Sequence, residues 1–217
     1  MSISVIIVDD HKIIRDGLKT LLSREIDIDV VGEAENGREA IKITLEKRPD
    51  IVIMDIGMPV MNGIEATRQI IKDIPETKVI ALSMHYDKQY VSGMLASGAK
   101  GYLLKDCAGD ELSKAIKRVS ANNTYISQDI TNTVIEGYAD IQDITNTHVK
   151  ASLTNREKEI LQLLTEGAST KQIAAELYIS VKTVEAHRAN IMGKLNIHNL
   201  PELTKYAIRN GYTSIDK

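Results

Sequence analysis

Residues 3–10 read ISVIIVDD and residues 50–57 read DIVIMDIG, two unbroken apolar runs that each lead into aspartate. Neither run alternates apolar with polar side chains. Both faces of such strands must be covered, as in a parallel sheet lying between two layers of helices. Three further runs follow the same plan: DVVGEA (29–34), KVIALS (78–83) and GYLLKD (101–106). The stretches between them predict helices over 12–24, 37–47, 63–74, 87–97 and 109–121. In the first of these, Ile14, Leu18, Leu21 and Leu22 form one apolar face. Five strand–helix units imply right-handed crossovers and a five-stranded, doubly wound parallel sheet of the α/β class.

Most runs deliver a charged or reactive side chain where they end. Asp9 and Asp10 follow the first strand, Asp55 ends the third, Ser83 the fourth and Lys105 the fifth. In an open parallel sheet these positions share the carboxyl edge, where ligands bind. Three carboxylates gathered there repel one another unless a cation lies among them. Mg2+, a hard ion that takes one or two carboxylates with a backbone carbonyl and waters, meets that need. With the Lys105 ammonium and the Ser83 hydroxyl beside it, the set has the parts for phosphoryl transfer to Asp55. Each residue alone is an ordinary loop residue; five at matched strand ends carry the reading.

Beyond residue 120 the pattern breaks. Lys and Arg are missing from 126–149, which holds Asp129, Glu136, Asp140 and Asp143. The tetrapeptide ITNT occurs at 130–133 and 144–147, too short and too rare for a repeat architecture. Residues 123–150 read as an acidic linker, with a short helix over 129–138. From Leu153 onward the signal is helical. Thr154 and Glu157 have capping-box spacing ahead of a helix that reaches Thr165 and stops at Gly167. Helices over 170–178, 181–195 and 201–210 follow, the last with Pro201 in its first turn and Gly211 at its close. Residues 151–217 therefore make a small all-α, four-helix domain.

The helix over 181–195 has two unlike faces. Val184, Ile191 and Leu195 fall together and must face the bundle core. Lys182, Glu185, Ala186, Ala189 and Gly193 lie opposite, a small polar surface that lets a helix sink into a DNA major groove. His187 and Arg188 flank the inner stripe, and Thr183 near the helix start suits a phosphate contact. A merely solvated helix has the same periodicity, so this pattern alone does not decide for DNA.

Composition narrows the field. The chain has 217 residues, 26% of them charged and 43% hydrophobic, which excludes wholesale disorder and suits two domains. No apolar run approaches the ~18 residues of a membrane span. Met1 and Ser2 lead straight into a strand-like run, so no signal peptide is expected and the expected location is the cytoplasm. The single cysteine, Cys107, excludes an intrachain disulfide or a cysteine zinc cluster. Net charge is −3 but unevenly spread. Residues 1–125 hold 17 Lys and Arg against 19 Asp and Glu, 126–149 none against 4, and 150–217 hold 10 against 7. The basic tail is where a polyanion would be met.

VDD at 8–10, MDIGMPVMNG at 54–63, LSM at 82–84 and GAKGYLLKD at 98–106 resemble the receiver domain of bacterial response regulators, over residues 3–121. The resemblance implies a flavodoxin-like receiver in 1–122 that takes a phosphoryl group on Asp55 from a sensor histidine kinase. It implies that Asp9, Asp10, Asp55 and the backbone carbonyl of Gly57 hold Mg2+. Lys105 would contact the phosphoryl group, with Ser83 and Tyr102 as a switch pair in which Ser83 moves and Tyr102 enters the vacated space. Gly57 and His85 fall where access of hydrolytic water is tuned.

Residues 153–195, LTNREKEILQLLTEGASTKQIAAELYISVKTVEAHRANIMGKL, resemble the LuxR-type helix-turn-helix of the NarL/FixJ response regulators. By that resemblance Glu185, Ala186 and Ala189 meet base edges, while Lys182, Thr183, Arg188 and Lys194 hold phosphates. The last helix falls where two such domains pair on DNA. Glu185 and the alanines shift readout toward cytosine amino groups and thymine methyls. The expected whole is a two-domain transcription regulator that binds double-stranded DNA, forms a homodimer when phosphorylated and has RNA polymerase as a further partner. Its only expected enzymology is its own phosphorylation and dephosphorylation. The alternative, a phosphatase of the haloacid-dehalogenase kind, wants D-x-D at the nucleophile, whereas Ile56 and Gly57 follow Asp55.

Overall fold

The computed structural model describes residues 2–84, 88–131 and 153–213. The chain divides into two compact units, Met1–Asp143 and Ile144–Lys217. In the first, β1 (Ile3–Val8), α1 (Lys12–Leu22), β2 (Ile28–Ala34), α2 (Gly37–Lys47) and β3 (Ile51–Asp55) come in turn. Then follow α3 (Gly63–Asp73), β4 (Lys78–Ser83), α4 (Lys88–Ala96), β5 (Gly101–Leu104), α5 (Ala108–Ser120) and β6 (Tyr125–Ile126). The strands lie in the order β2-β1-β3-β4-β5-β6, every neighbouring pair parallel.

Successive side chains of a strand point to opposite faces, and both faces of this sheet are covered. Val5, Ile7, Ile51, Ile53, Ile80, Leu82 and Leu103 pack with Leu18 and Leu22 of α1 and Leu112, Ile116 and Val119 of α5. Ile6, Val8, Val52, Met54, Val79 and Ala81 pack with Ala40 of α2, Ile64 and Ile70 of α3, and Val91 and Met94 of α4. Two cores back to back explain why the runs show no alternation. Asn36 and Asn62 cap α2 and α3, accepting from the Glu39 and Glu65 amides at 2.9 Å each. Such caps each contribute about 1 kcal/mol.

The sheet has six strands where the sequence predicts five. Tyr125 and Ile126 pair with Gly101 and Tyr102. The Tyr125 amide donates to the Lys100 carbonyl and the Ser127 amide to the Tyr102 carbonyl, both at 3.0 Å. Two residues are too few to show a period, so β6 leaves no pattern in the sequence. Residues 128–131 are helical, and Ile130 is fully buried in the core that holds Tyr102. The opening of the expected linker is thus part of the sheet unit. Its remainder, the rest of the helix expected over 129–138, and His85 lie outside the described residues.

The second unit contains α6 (Asn155–Thr165), α7 (Thr170–Glu176), α8 (Val181–Leu195) and α9 (Leu200–Arg209). The capping box at Thr154 and Glu157 is present, and a second, Ser169 with Gln172, opens α7. Leu153, Ile160, Leu161, Leu164, Ile173, Leu177, Val184, Ile191 and Leu203 form the core. Among the described residues, no helix is long and apolar enough to cross a membrane.

Candidate functional site

Parallel register brings the strand ends of the first unit to one edge. Val8 lies beside Met54, Asp55 beside Leu82, and Ser83 beside Leu104. The loops leaving β1, β3, β4 and β5 are therefore neighbours. Asp9 (1% exposed), Asp55 (6%) and Ser83 (1%) are buried there. Lys105 opens a 3-10 turn, Lys105–Cys107, directly after β5. Its Nζ lies 2.6 Å from Asp9 Oδ2 and 3.1 Å from Asp55 Oδ1, so one ammonium serves two buried carboxylates. Beside them, His11 Nδ1 lies 2.9 Å from Asp10 Oδ1 and 3.3 Å from Asp9 Oδ1.

With three carboxylates to one ammonium, the pocket is short of positive charge. Burial pushes the Asp55 carboxyl above its ordinary range against the pull of Lys105, and the neighbouring Asp9 charge adds to the push. Burial works to lower the Lys105 ammonium, but Asp55 and Asp9 outweigh it and hold the ammonium above its ordinary value. One ligand atom each from Asp9, Asp10 and His11 falls within 4.8 Å of the others. This carboxylate-rich donor set and the deficit of positive charge fit a divalent cation that prefers oxygen.

The loop from β3 to α3 is tightly held. The Met61 amide donates to the Pro59 carbonyl at 2.7 Å, folding Val60 into the left-handed region at φ 67°. A β-branched residue there is strained. The Gly63 amide donates to the Ile56 carbonyl at 2.9 Å. A Cβ on Gly63 would lie 2.0 Å from the Asp55 carbonyl oxygen, so α3 begins pressed against the main chain of Asp55. Gly57, by contrast, has open space where a Cβ would be.

Tyr102 lies inside the protein in this conformation. Its backbone pairs with Ala81 and its side chain is already fully buried, in one cluster with Ile130 and with Ile126 packed against it. The entry of the ring into vacated space therefore does not describe this conformation.

In the second unit, α8 separates its faces as its periodicity predicts. Val184 and Ile191 are fully buried and Leu195 packs on them. Lys182, Thr183, Glu185, Ala186, Ala189 and Gly193 are exposed, and His187 and Arg188 half-buried. Ser180 caps the helix, accepting from the Thr183 amide at 3.1 Å. Two members of the expected phosphate set already have protein partners: Thr183 Oγ1 lies 2.8 Å from Ser180 Oγ, and Lys194 reaches another helix. The Lys194 Nζ lies 2.7 Å from Glu157 Oε2, in the capping box of α6.

Residues 5–117 match the response regulator receiver domain, and residues 151–207 match the luxR family of bacterial regulatory proteins. The chain belongs to the two-component response regulators with a LuxR-type DNA-binding domain. This response regulator is 38% identical to the transcriptional regulatory protein DegU of Brevibacillus brevis, over 98% of its own chain and 96% of that protein. It is 40% identical to the oxygen regulatory protein NreC of Staphylococcus epidermidis, over 94% and 96%. Among solved structures it is similar to the RcsB response regulator of Salmonella typhimurium, at 28% identity and a TM-score of 0.58 over 94% and 97% of the chains. An RcsB–DNA complex gives 25% identity and a TM-score of 0.60 over 96% and 99%. The family role is control of DNA binding and transcription, not metabolic catalysis.

Two residues of the response regulator's pocket escape the sequence reading. His11 touches both acidic residues before it, and Arg15 is a buried cation one helical turn further on. Arg15 Nη1 donates to the Asp9 carbonyl at 2.7 Å, Nη2 to Glu35 at 2.7 Å, and Nε lies 3.6 Å from Glu33. It ties the Asp9 main chain to the end of β2. Their signal was their place directly behind Asp9 and Asp10, at the cap and in the first turn of a helix otherwise read for its apolar face.

Proposed function

We propose that Asp55 accepts a phosphoryl group from the phosphohistidine of a sensor histidine kinase, and that this change governs how the helical unit occupies DNA. The carrying observation is the Lys105 ammonium between Asp9 and Asp55 at the carboxyl edge of the sheet. In the transfer an Asp55 oxygen bonds to phosphorus as the donor P–N bond breaks, and the released imidazole takes up a proton. Lys105 turns from the carboxylate to the arriving phosphoryl oxygens, and the Ser83 hydroxyl donates to one of them. Asp9, Asp10 and Asp55, with the Gly57 carbonyl, would hold Mg2+, which when bound neutralises charge on the phosphoryl oxygens. Self-dephosphorylation, attack of water on the same phosphorus, is the matching loss step.

On the DNA side, Glu185, Ala186 and Ala189 face base edges. Lys182, Thr183 and Arg188 hold phosphates, and Lys194 joins them by exchanging Glu157 for DNA. The active species is a cytoplasmic homodimer on two half-sites, because a modest basic excess neutralises few phosphates per subunit. RNA polymerase is a further partner. The receiver is read as running to residue 131, not 122, since β6 and Ile130 belong to its sheet and core. Beyond it comes the acidic linker to residue 150, then the DNA-binding domain of 151–217.

The test measures molecular mass and DNA affinity with and without beryllofluoride and Mg2+, alongside Asp55→Ala. A mimic-dependent dimer with raised, salt-sensitive affinity, absent in the variant, is the expected result. Mass and affinity indifferent to the mimic would overturn the switch.

A further inference from the structure

Among the described residues, Tyr178 is the one aromatic side chain whose backbone enters the left-handed region, at φ 53°. It closes α7. Its amide donates to the Ala175 carbonyl at 3.3 Å and the Ile179 amide to the Ala174 carbonyl at 3.0 Å. These are the paired bonds of a Schellman end, with Tyr178 at the position glycine commonly takes. Several comparable turns of this chain use Gly98, Gly167, Gly211, Asn122 or Asn196. Tyrosine here is strained, and packing does not offset the strain, because the side chain is 93% exposed. Ile179 beside it packs on the core and Ser180 caps α8, so the turn that presents the ring is held from both sides.

We propose that Tyr178 is a DNA-contacting residue whose hydroxyl donates to a backbone phosphate at the rim of the groove entered by α8. This rests on reading α8 as the groove helix. When a helix enters the major groove by its first turns, the residues just ahead of its cap cross the groove rim, where phosphates stand. Tyrosine brings a phenolic donor there on an arm with only two side-chain torsions. Being neutral, it adds a hydrogen bond without releasing a counterion. A Tyr178 contact therefore has its own signature: affinity it contributes is equal across sequences and absent from the salt slope.

The experiment uses the full chain and a short mixed-sequence duplex over a series of salt concentrations, with Tyr178→Phe, Tyr178→Gly and Lys182→Ala. Tyr178→Phe should lose about tenfold in affinity with the salt slope unchanged, since only a hydrogen bond to a charged group is removed. Tyr178→Gly should lose as much while its helical domain melts about 3 °C higher, stability and binding moving in opposite directions. Lys182→Ala should weaken binding and flatten the slope by about one charge. If both Tyr178 variants bind like the parent while Lys182→Ala does not, Tyr178 has no contact and the groove reading of α8 stands. If Lys182→Ala also binds like the parent, the placement of α8 fails and the Tyr178 proposal with it.

Discussion

Replacing Gly63 by alanine tests whether the start of α3 sets the position of Asp55. The new Cβ would lie 2.0 Å from the Asp55 carbonyl oxygen, 2.9 Å from its carbon and 3.0 Å from Ile56 Cα. All three are main-chain atoms, so no side chain can rotate away, and the helix must lift by about 1 Å to reach ordinary contact. Lifting it stretches the Gly63–Ile56 hydrogen bond and disturbs the Asn62 cap. Overpacking of about 2 kcal/mol and a hydrogen bond of about 1 kcal/mol together exceed the gain, at most about 1 kcal/mol, that alanine brings to a helix. A net loss of about 2 kcal/mol lowers the melting temperature by about 8 °C. A shift of about 1 Å at the nucleophile slows its labelling by up to about 100-fold. Thermal melts and the rate of labelling by acetyl phosphate read the two effects. Gly57→Ala, which meets no atom within 4 Å, is the control and should melt like the parent. Parent-like melting and labelling in Gly63→Ala would refute the inference that this contact fixes Asp55.

Further outcomes follow from the charges. The Asp55 carboxyl is raised above its ordinary value, so the folded state holds that proton more tightly than the unfolded chain. The stability this gives is present at low pH and lost as pH rises through the raised value. Asp55→Asn should accordingly melt above the parent at neutral pH in chelator, with the gap closing toward acid. Lys105→Met leaves Asp9 and Asp55 buried without their shared cation and should cost about 3 kcal/mol in chelator. Added Mg2+ should stabilise this variant more than the parent, and equal stabilisation would refute the shared-charge account. For Glu157, burial acts to raise the carboxyl, but bonds from Lys194 and Thr154 outweigh it and hold the carboxyl below its ordinary range. Its contribution is thus present above the ordinary value and lost as pH falls through the lowered one. Lys194→Met should cost the helical unit about 1 kcal/mol at neutral pH and move its acid unfolding to higher pH, followed by circular dichroism.

The sheet was legible because buried parallel strands write themselves as apolar runs, and Asp9, Asp55, Ser83 and Lys105 were legible because each stands where a run stops. What escaped detection lies in contacts distant along the chain or in elements too short to have a period. β6 is two residues long, and Ile130, which shares a core with Tyr102, lies well beyond the last apolar run. Lys194 and Glu157 are 37 residues apart, so no local pattern shows that a lysine expected at a DNA phosphate also braces another helix. The faces of α8 were readable from a period of 3.6, but the strain at Tyr178 was not, since nothing in LYIS announces a left-handed backbone.

Without Tyr125 and Ile126, β5 would be the outer strand of the sheet, offering the bare amides and carbonyls of Gly101 and Tyr102 to any passing chain. Exposed strands of that kind are templates for unwanted strand-to-strand adhesion. The short sixth strand blunts this template with a piece of chain too brief to become a good one itself. Two copies that meet on this side must therefore join through helix surfaces or first peel the strand away, which directs self-association away from open-ended stacking of sheets.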